Sequence, residues 1–291
     1  MRASPGERLF YAVNYILLTL LACSCLFPLL HLLSLSFSSP EAIQTGKVGL
    51  WPVEFSLDTY KLLASGTSIV RSFWNSVVIT LVGIALSMTA TILAAYPLSR
   101  QSFYARKTLT LAMIFTMIFS GGLIPTYLTV QALGLVDTYW AIWLPGLVST
   151  YNMLILRTYF EQIPSEIEDA ARIDGCGEVR LLVRVLLPIS LPVIATLTLF
   201  YGVAYWNVFF SMLIYINDST MQNLSVLVQQ MIKNQSALQQ SMLVQPDEQA
   251  HVVEEGIKSA GIVVLVAPML IAYPFVQKYF VKGVMIGSVK G

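Results

Sequence analysis

Residues 164–188 read Pro-Ser-Glu-Ile-Glu-Asp-Ala-Ala-Arg-Ile-Asp-Gly-Cys-Gly-Glu-Val-Arg-Leu-Leu-Val-Arg-Val-Leu-Leu-Pro, a polar stretch inside a largely apolar chain. Ser165 can accept hydrogen bonds at a helix start, and Glu168, three residues later, can reach back to the Ser165 amide. Gly175 and Gly177 favour a helix end, because glycine adopts the left-handed conformation readily. The sequence therefore predicts a short capped helix that begins at Ser165 and is stopped by these glycines.

Two small residues, Ala170 and Ala171, lie in the middle of the predicted helix, close to its acidic residues. Small side chains allow a partner's backbone to approach, so we interpret the helix as a docking element. An ordinary cytoplasmic linker helix is the alternative. The spacing resembles the EAA loop of ATP-binding-cassette import permeases, which reads Glu-Ala-Ala, three residues, Gly, nine residues, then Ile-x-Leu-Pro. The matching residues here are Asp169, Ala170, Ala171, Gly175, Val185, Leu187 and Pro188.

Composition indicates a membrane protein. Of the 291 residues, 56% are hydrophobic and 11% are charged, and the mean hydropathy is +0.70. Soluble domains carry about 25% charged residues. The net charge of +1 argues against nucleic acid as a partner. We therefore expect membrane lipid around the chain and no nucleic acid bound to it.

Six apolar stretches are long enough to cross a bilayer, which takes about 20 residues. They cover residues 11–35, 69–96, 109–133, 140–160, 189–216 and 257–280. The sequence therefore predicts an all-α membrane protein with six transmembrane helices in a single transmembrane domain over residues 1–291.

The basic residues give this bundle a predicted orientation. Twelve of the 17 lysines and arginines fall on one side of the predicted spans. Because cytoplasmic loops are enriched in Lys and Arg, both termini are predicted to be cytoplasmic, and so is the 164–188 loop between spans four and five. Two outer loops then cover about residues 37–68 and 217–256, and a cytoplasmic tail covers 281–291.

The second outer loop contains apolar residues at helical spacing, which predicts a short amphipathic helix at the outer surface. These residues are Leu224, Leu227, Val228, Met231 and Ile232. Two roles remain open for this helix. It is either a lid packed on the bundle or a contact for an external binding protein.

The chain lacks the motifs of common catalytic sites. It has no phosphate-binding Gly-x-x-x-x-Gly-Lys-Ser/Thr loop, no His-Glu-x-x-His zinc motif and no Gly-x-Ser-x-Gly turn. His31 and His251 have no carboxylate partner nearby in sequence, so neither a metal site nor histidine catalysis is expected. The cores of the six spans hold no charged residue, which disfavours an ion-coupled secondary transporter or channel, the alternative class. Energy for transport would come from another chain.

Several further runs, together with the 164–188 loop, resemble the MalG-related carbohydrate permeases of the LplC type over nearly the whole chain. Taken singly, their glycines and prolines fit helix packing and turns equally well. The runs are Ser-Gly-Gly-Leu-Ile-Pro-Thr-Tyr at 120–127, Leu-Gly-Leu-Val-Asp-Thr at 133–138, Leu-Pro-Gly at 144–146 and Tyr-Phe-Val-Lys-Gly-Val-Met-Ile-Gly-Ser-Val-Lys-Gly at 279–291.

The resemblance implies one permease subunit of an ATP-driven carbohydrate importer in the bacterial inner (plasma) membrane. It implies a second homologous permease subunit, two cytoplasmic ATPase subunits that bind ATP and Mg, and an extracytoplasmic sugar-binding protein. The chain itself would hold no cofactor and catalyse no bond change. The residues implied to couple it to the ATPases are Glu168, Asp169, Ala170, Ala171, Asp174 and Gly175 in the loop, and Ser288, Lys290 and Gly291 in the tail.

A sugar requires aromatic faces for its C–H surfaces and amide or hydroxyl groups for its hydroxyls. Packing between helices is the alternative role for such side chains. Our candidates for the translocation path are Asn152, Tyr201, Tyr205, Trp206 and Asn207. The LplC-type resemblance indicates an oligosaccharide, with uronic acids as one option, although no cluster of basic residues in the spans favours an acidic substrate.

Overall fold

The computed structural model describes residues 5–241 and 255–274. All regular structure in these two ranges is helical, as the sequence predicts. The helices are α1 Pro5–Ser36, α2 Pro40–Gln44, α3 Asp58–Gly66, α4 Ile69–Ser99, α5 Arg106–Ile118, α6 Leu123–Ala132, α7 Trp140–Trp143, α8 Thr150–Glu161, α9 Ser165–Ile173, α10 Glu178–Leu181, α11 Leu187–Ile189, α12 Leu191–Trp206, α13 Phe210–Tyr215, α14 Leu224–Ser241 and α15 Glu255–Pro274. A π-helical turn, Leu182–Leu186, joins α10 to α11.

Three of the described helices are long and apolar enough to cross a membrane: Gly6–Ser36, Ile69–Ser99 and Glu255–Pro274. The number rises to five if two bent pairs each count as one span. These pairs are Arg106–Ile118 with Leu123–Ala132, bent by 116°, and Glu178–Ile189 with Leu191–Trp206, bent by 83°. The stretch 140–160, predicted as the fourth span, forms the short helices α7 and α8 instead of one continuous helix.

Both bends have local causes in the sequence. The first follows from Gly122, whose φ of +86° favours glycine and interrupts the helical path between α5 and α6. At the second, Pro188 and Pro192 flank Ser190 and remove two backbone N–H donors from the helical ladder. The π-helical turn just before Pro188 marks the same disruption. Apolar stretches of spanning length can thus contain sharp turns.

Backbone contacts divide the chain into two compact units. The first comprises the described parts of 1–70 and 227–267. Its core is small and is formed by Leu35, Ala42, Ile43 and Val48. Ser39 caps α2 by accepting a hydrogen bond from the Ala42 amide at 3.1 Å.

The second unit comprises residues 71–226 and the described part of 268–291. Its core contains the largest fully buried side chains of this unit, including Ile79, Met153, Leu156, Phe160, Leu186 and Leu197. Leu224 and Val226, at the start of α14, are also buried, and the Leu224 amide donates to Ser76 Oγ at 2.9 Å. The helix predicted near residue 224 is therefore confirmed, and its first turn packs on the chain itself.

Candidate functional site

The polar stretch 164–188 forms the predicted helix, α9, which begins at Ser165. The predicted capping arrangement is wrong. Pro164 is the N-cap, and no side chain caps the helix start. Glu168 does not reach back to the Ser165 amide, because its Oε1 accepts a hydrogen bond from Arg100 Nη1. A charge-assisted bond of this kind is about twice as strong as a neutral one, so it outcompetes the local cap.

The end of α9 depends on Gly175, as predicted. Gly175 has φ +79°, its N–H donates to Arg172 O at 3.0 Å, and the Cys176 N–H donates to Ala171 O at 3.0 Å. This pair of bonds is the Schellman motif, which favours glycine at the left-handed position. Gly177 plays a different part from the one predicted, because it is the N-cap of α10 with φ −74°.

The two central alanines of α9 face in different directions. Ala171 is buried in the core of its own chain, with 8% of its surface exposed, whereas Ala170 is exposed. The exposed surface around Ala170 also carries apolar side chains. Ile173 is 87% exposed and Val179 is 78% exposed. We call Glu166, Asp169, Ala170, Ile173, Asp174 and Val179, all exposed, the loop face.

Large apolar side chains in a polar surround are typical of protein contact sites. The loop face has this character, since it combines the exposed apolar side chains of Ile173 and Val179 with the exposed acidic residues Asp169 and Asp174. The surface is therefore suited to bind another protein, and its small residue Ala170 leaves room for a close approach.

The same loop and the end of α4 contribute a group of charged and aromatic side chains, which we call the Arg100 cluster. It consists of Tyr96, Arg100, Glu168, Arg172 and Glu178. Arg100 and Glu168 form an ion pair with 16% and 14% of their side-chain surfaces exposed. The Arg100 guanidinium carbon lies 4.6 Å from the centre of the Tyr96 ring. Tyr96 donates its hydroxyl hydrogen bond to Glu178 Oε2, and Arg172 pairs with Glu178 Oε1 at 2.7 Å.

A second ion-pair group holds the same end of α4. Glu161 Oε1 accepts from Arg106 Nη2 at 2.5 Å and from Arg157 Nε at 3.0 Å. Arg157 Nε also donates to Leu98 O at 3.0 Å. These contacts connect the end of α4, the start of α5 and the end of α8. Ion pairs and hydrogen bonds thus hold these three helix ends together next to the Arg100 cluster.

Two of the predicted path residues join α12 to α4 through buried hydroxyl groups. Tyr201 Oη lies 2.7 Å from Thr91 Oγ1 and accepts a hydrogen bond from the Ser149 amide at 3.0 Å. Tyr205 Oη lies 2.8 Å from Ser87 Oγ. A Cβ added to Gly83 would fall 2.7 Å from the Tyr205 ring, so this glycine allows the ring to lie against α4.

The remaining path candidates differ in exposure. Trp206 is 5% exposed, and its ring meets Phe73 edge-to-face with centroids 6.0 Å apart. Asn152 is also 5% exposed and lies in the first turn of α8. Asn207 is exposed and donates its amide to Val203 O at 2.9 Å. The structure thus gathers these residues around α12 and leaves Asn207 open to the surroundings.

Sequence reasoning missed a polar contact centred on Asp137. This residue has φ +59°, and its N–H donates to Tyr215 O at 2.9 Å. Its carboxylate accepts from the backbone amides of Asn217 at 2.5 Å and Asp218 at 3.2 Å. The hydrogen bond from the Asn217 amide is the main cause that lowers the pKa of Asp137. The run Leu-Gly-Leu-Val-Asp-Thr at 133–138 contains Asp137 and is the sequence feature that could have indicated this contact.

Two further features of the sequence analysis are a metal site, which is not expected, and the predicted contacts of the tail. Among residues 5–241 and 255–274 no group of three or more His, Cys, Asp or Glu could hold a metal ion. The predicted tail contacts Ser288, Lys290 and Gly291 lie outside the described residues.

Comparison with protein families gives one match that covers most of the chain. Residues 62–286 match the model of the binding-protein-dependent transport system inner membrane component. A polygalacturonan/rhamnogalacturonan transport system permease protein, YtcP of Bacillus subtilis (strain 168), is 42% identical over 285 residues, covering 98% of this chain and 99% of that protein. Protein LplC of the same organism is 40% identical over 293 residues, covering 100% and 98%.

A solved structure also resembles the chain. It comes from the crystal structure of a bacterial ABC transporter involved in the import of the acidic polysaccharide alginate. The TM-score is 0.87 at 30% sequence identity, and the match covers 96% of this chain and 99% of that one. The likeness in fold therefore extends over nearly all of both chains.

Proposed function

Because this chain belongs to the family of binding-protein-dependent transport system inner membrane components, we propose that it is a carbohydrate permease subunit of an ATP-driven importer. The protein resides in the inner membrane and is a transport component rather than an enzyme. The observation that carries the proposal is the match to YtcP over 98% of the chain. The loop face supplies the local chemistry that such a role needs.

The proposed assembly contains a second homologous permease subunit, two cytoplasmic ATPase subunits and an extracytoplasmic binding protein. ATP and Mg bind to the ATPases, and this chain holds no cofactor. Six spans with both termini cytoplasmic would place the 164–188 loop on the ATPase side. The bent pair α5–α6 then forms one span, whereas α10 stays within the 164–188 loop and α12 belongs to the fifth span.

We assign the coupling contact to the loop face. Ile173 and Val179 are exposed apolar groups that an ATPase cleft would remove from water, which is favourable. Ala170 lets the partner's backbone come close, and the acidic residues Asp169 and Asp174 suit basic groups on the ATPase. Tail residues Ser288, Lys290 and Gly291 are proposed to add a second contact.

The proposed cargo is an oligosaccharide. YtcP is named for polygalacturonan and rhamnogalacturonan transport, and the structural relative takes part in alginate import, so a uronic-acid-containing oligosaccharide is the first substrate to test. The region around Asn152, Tyr201, Tyr205, Trp206 and Asn207 is the proposed path. Asn207 supports this assignment because its amide is exposed at the end of α12.

Purification of the tagged chain with its candidate partner chains tests the proposal. We expect a complex with ATPase subunits whose ATP hydrolysis rises when binding protein loaded with an oligogalacturonate is added. A neutral maltooligosaccharide serves as the matched control for substrate class. A chain that never associates with an ATPase would refute the proposal. Stimulation by the neutral sugar alone would refute only the acidic substrate.

A further inference from the structure

The last turn of α4 is attached to the 164–188 loop at two points. Arg100, the residue after the end of α4, pairs with Glu168 on α9. Tyr96, one turn earlier, donates its hydroxyl to Glu178 on α10. The two acceptors lie on opposite sides of the turn at Gly175, so both short helices of the loop are tied to the same helix end.

The two halves of the loop are also tied to each other. Arg172 on α9 pairs with Glu178 on α10 at 2.7 Å. Glu178 therefore receives one bond from α4 and one from α9. The Arg172–Glu178 pair is half-exposed and therefore weak, so the contacts of Glu168 and Glu178 with the end of α4 are the main links between the two helices.

Arg100 depends on Glu168 to an unusual degree. Nη1 pairs with Glu168, whereas the buried Nε and Nη2 atoms have no hydrogen-bond partner within the part of the chain that the structure describes. The face of the Tyr96 ring adds a further favourable contact. A buried ion pair is weak evidence of a stabilising role, because desolvation offsets much of its attraction. A role in fixing one geometry accounts better for the pair.

The same helix continues to the proposed path. Thr91 and Ser87 of α4 contact the hydroxyls of Tyr201 and Tyr205 on α12, at 2.7 Å and 2.8 Å. Thr91 precedes Arg100 by nine residues, which corresponds to about 14 Å along a helix. One helix, which contains Pro97 between Thr91 and Arg100, thus joins the Arg100 cluster to the tyrosines of α12.

We propose that Arg100 is a positioning residue that makes α4 the lever of transport: it fixes the 164–188 loop to the end of α4, so that movement of the loop shifts α4 against α12. This inference rests on the proposed function. Arg100 acts through Glu168 and contacts neither nucleotide nor sugar. Its removal should therefore separate ATP hydrolysis from sugar movement more than it reduces assembly.

The test compares sugar transported per ATP hydrolysed in proteoliposomes that contain the complete complex. Arg100→Gln and Glu168→Gln should each keep ATPase subunits bound but lower this ratio about tenfold, a typical size for coupling between sites. The swap of Arg100→Glu with Glu168→Arg should restore much of the ratio. Lys107→Gln, an equal loss of charge at an exposed position outside the cluster, is the matched control and should leave the ratio unchanged.

Loss of folding in the single variants would not end the test. Replacing both partners, Arg100→Met with Glu168→Leu, removes the buried charges together, which proteins often tolerate. We expect this double variant to assemble and still to show the low ratio. A ratio equal to that of the unaltered protein, or a fall in assembly with no change in ratio, would overturn the lever. Absence of ATP-dependent uptake in the unaltered complex would instead refute the proposed function.

Discussion

At the residue scale, the two central alanines of α9 lie in different surroundings. The prediction treated Ala170 and Ala171 as one small pair for a partner. Neighbouring residues on a helix point about 100° apart, and the structure buries Ala171 while exposing Ala170. The local spacing likewise predicts Glu168 as a capping residue, whereas its actual partner, Arg100, lies 68 positions away in sequence.

Replacement by a large side chain should therefore have different effects at Ala170 and at Ala171. Ala171→Trp overfills a packed core and should lower the free energy of unfolding by about 1–3 kcal/mol or more. Ala170→Trp should leave stability unchanged and reduce association with the ATPases. Thermal unfolding in detergent and co-purification measure the two effects. Normal stability of Ala171→Trp together with lost ATPase binding would show that Ala171, too, faces the partner.

The hydroxyl of Tyr201 gives a second residue-scale prediction. Tyr201→Phe removes the acceptor of the part-buried Ser149 amide and the buried partner of Thr91, which should cost about 1–3 kcal/mol of stability. Tyr151→Phe, at a side chain that is 59% exposed, is the control. Thermal unfolding and the sugar profile of uptake are measured together. Unchanged stability with altered sugar preference would favour a direct sugar contact over packing.

At the element scale, the existence of α9 and its end at Gly175 could be predicted, because glycine chemistry is local. The long apolar stretches could also be found by composition. Their breaks are harder to predict, since Gly122 fits helix packing inside a span equally well and Pro188 is already accounted for as the last residue of the EAA-type loop motif. The stretch 140–160 shows the limit most clearly, because its apolar character does not make it one helix.

The turn between α9 and α10 should be sensitive at only one of its two glycines. Gly175→Ala forces a left-handed conformation that costs about 1–2 kcal/mol, and Gly175→Pro cannot adopt φ +79° at all. Gly177→Ala has φ −74° and meets no atom within 4 Å, so it should be neutral. Binding-protein-stimulated ATP hydrolysis is the readout. Equal effects at both glycines would contradict the assigned helix end.

At the scale of the whole molecule, the resemblance to LplC-type carbohydrate permeases is confirmed by the family match and by LplC itself. The all-helical membrane character is confirmed as well. The orientation stays a prediction, because charge bias acts during membrane insertion and leaves no contact inside the folded chain. The identity of the partner chains cannot be predicted from this sequence either, because each contact also depends on the partner's own surface.

Orientation can be measured with single cysteines in a background where the three native cysteines are replaced by serine. We expect Ser219→Cys to react with a membrane-impermeant maleimide in intact cells. Ile173→Cys, which is on the loop face, should react only after the membrane is opened. The reverse pattern would place the loop outside the cell and remove it from any contact with cytoplasmic ATPases.

The central claim is that this chain moves an oligosaccharide only when ATPases act on its 164–188 loop. Uptake of a radiolabelled oligogalacturonate into proteoliposomes containing the complete complex tests it most directly, with binding protein outside and ATP inside. We predict uptake that requires ATP and that is abolished by Gly175→Pro in a complex that still assembles. Uptake by the purified chain alone, without ATP, would contradict the account and favour an ion-coupled transporter or channel.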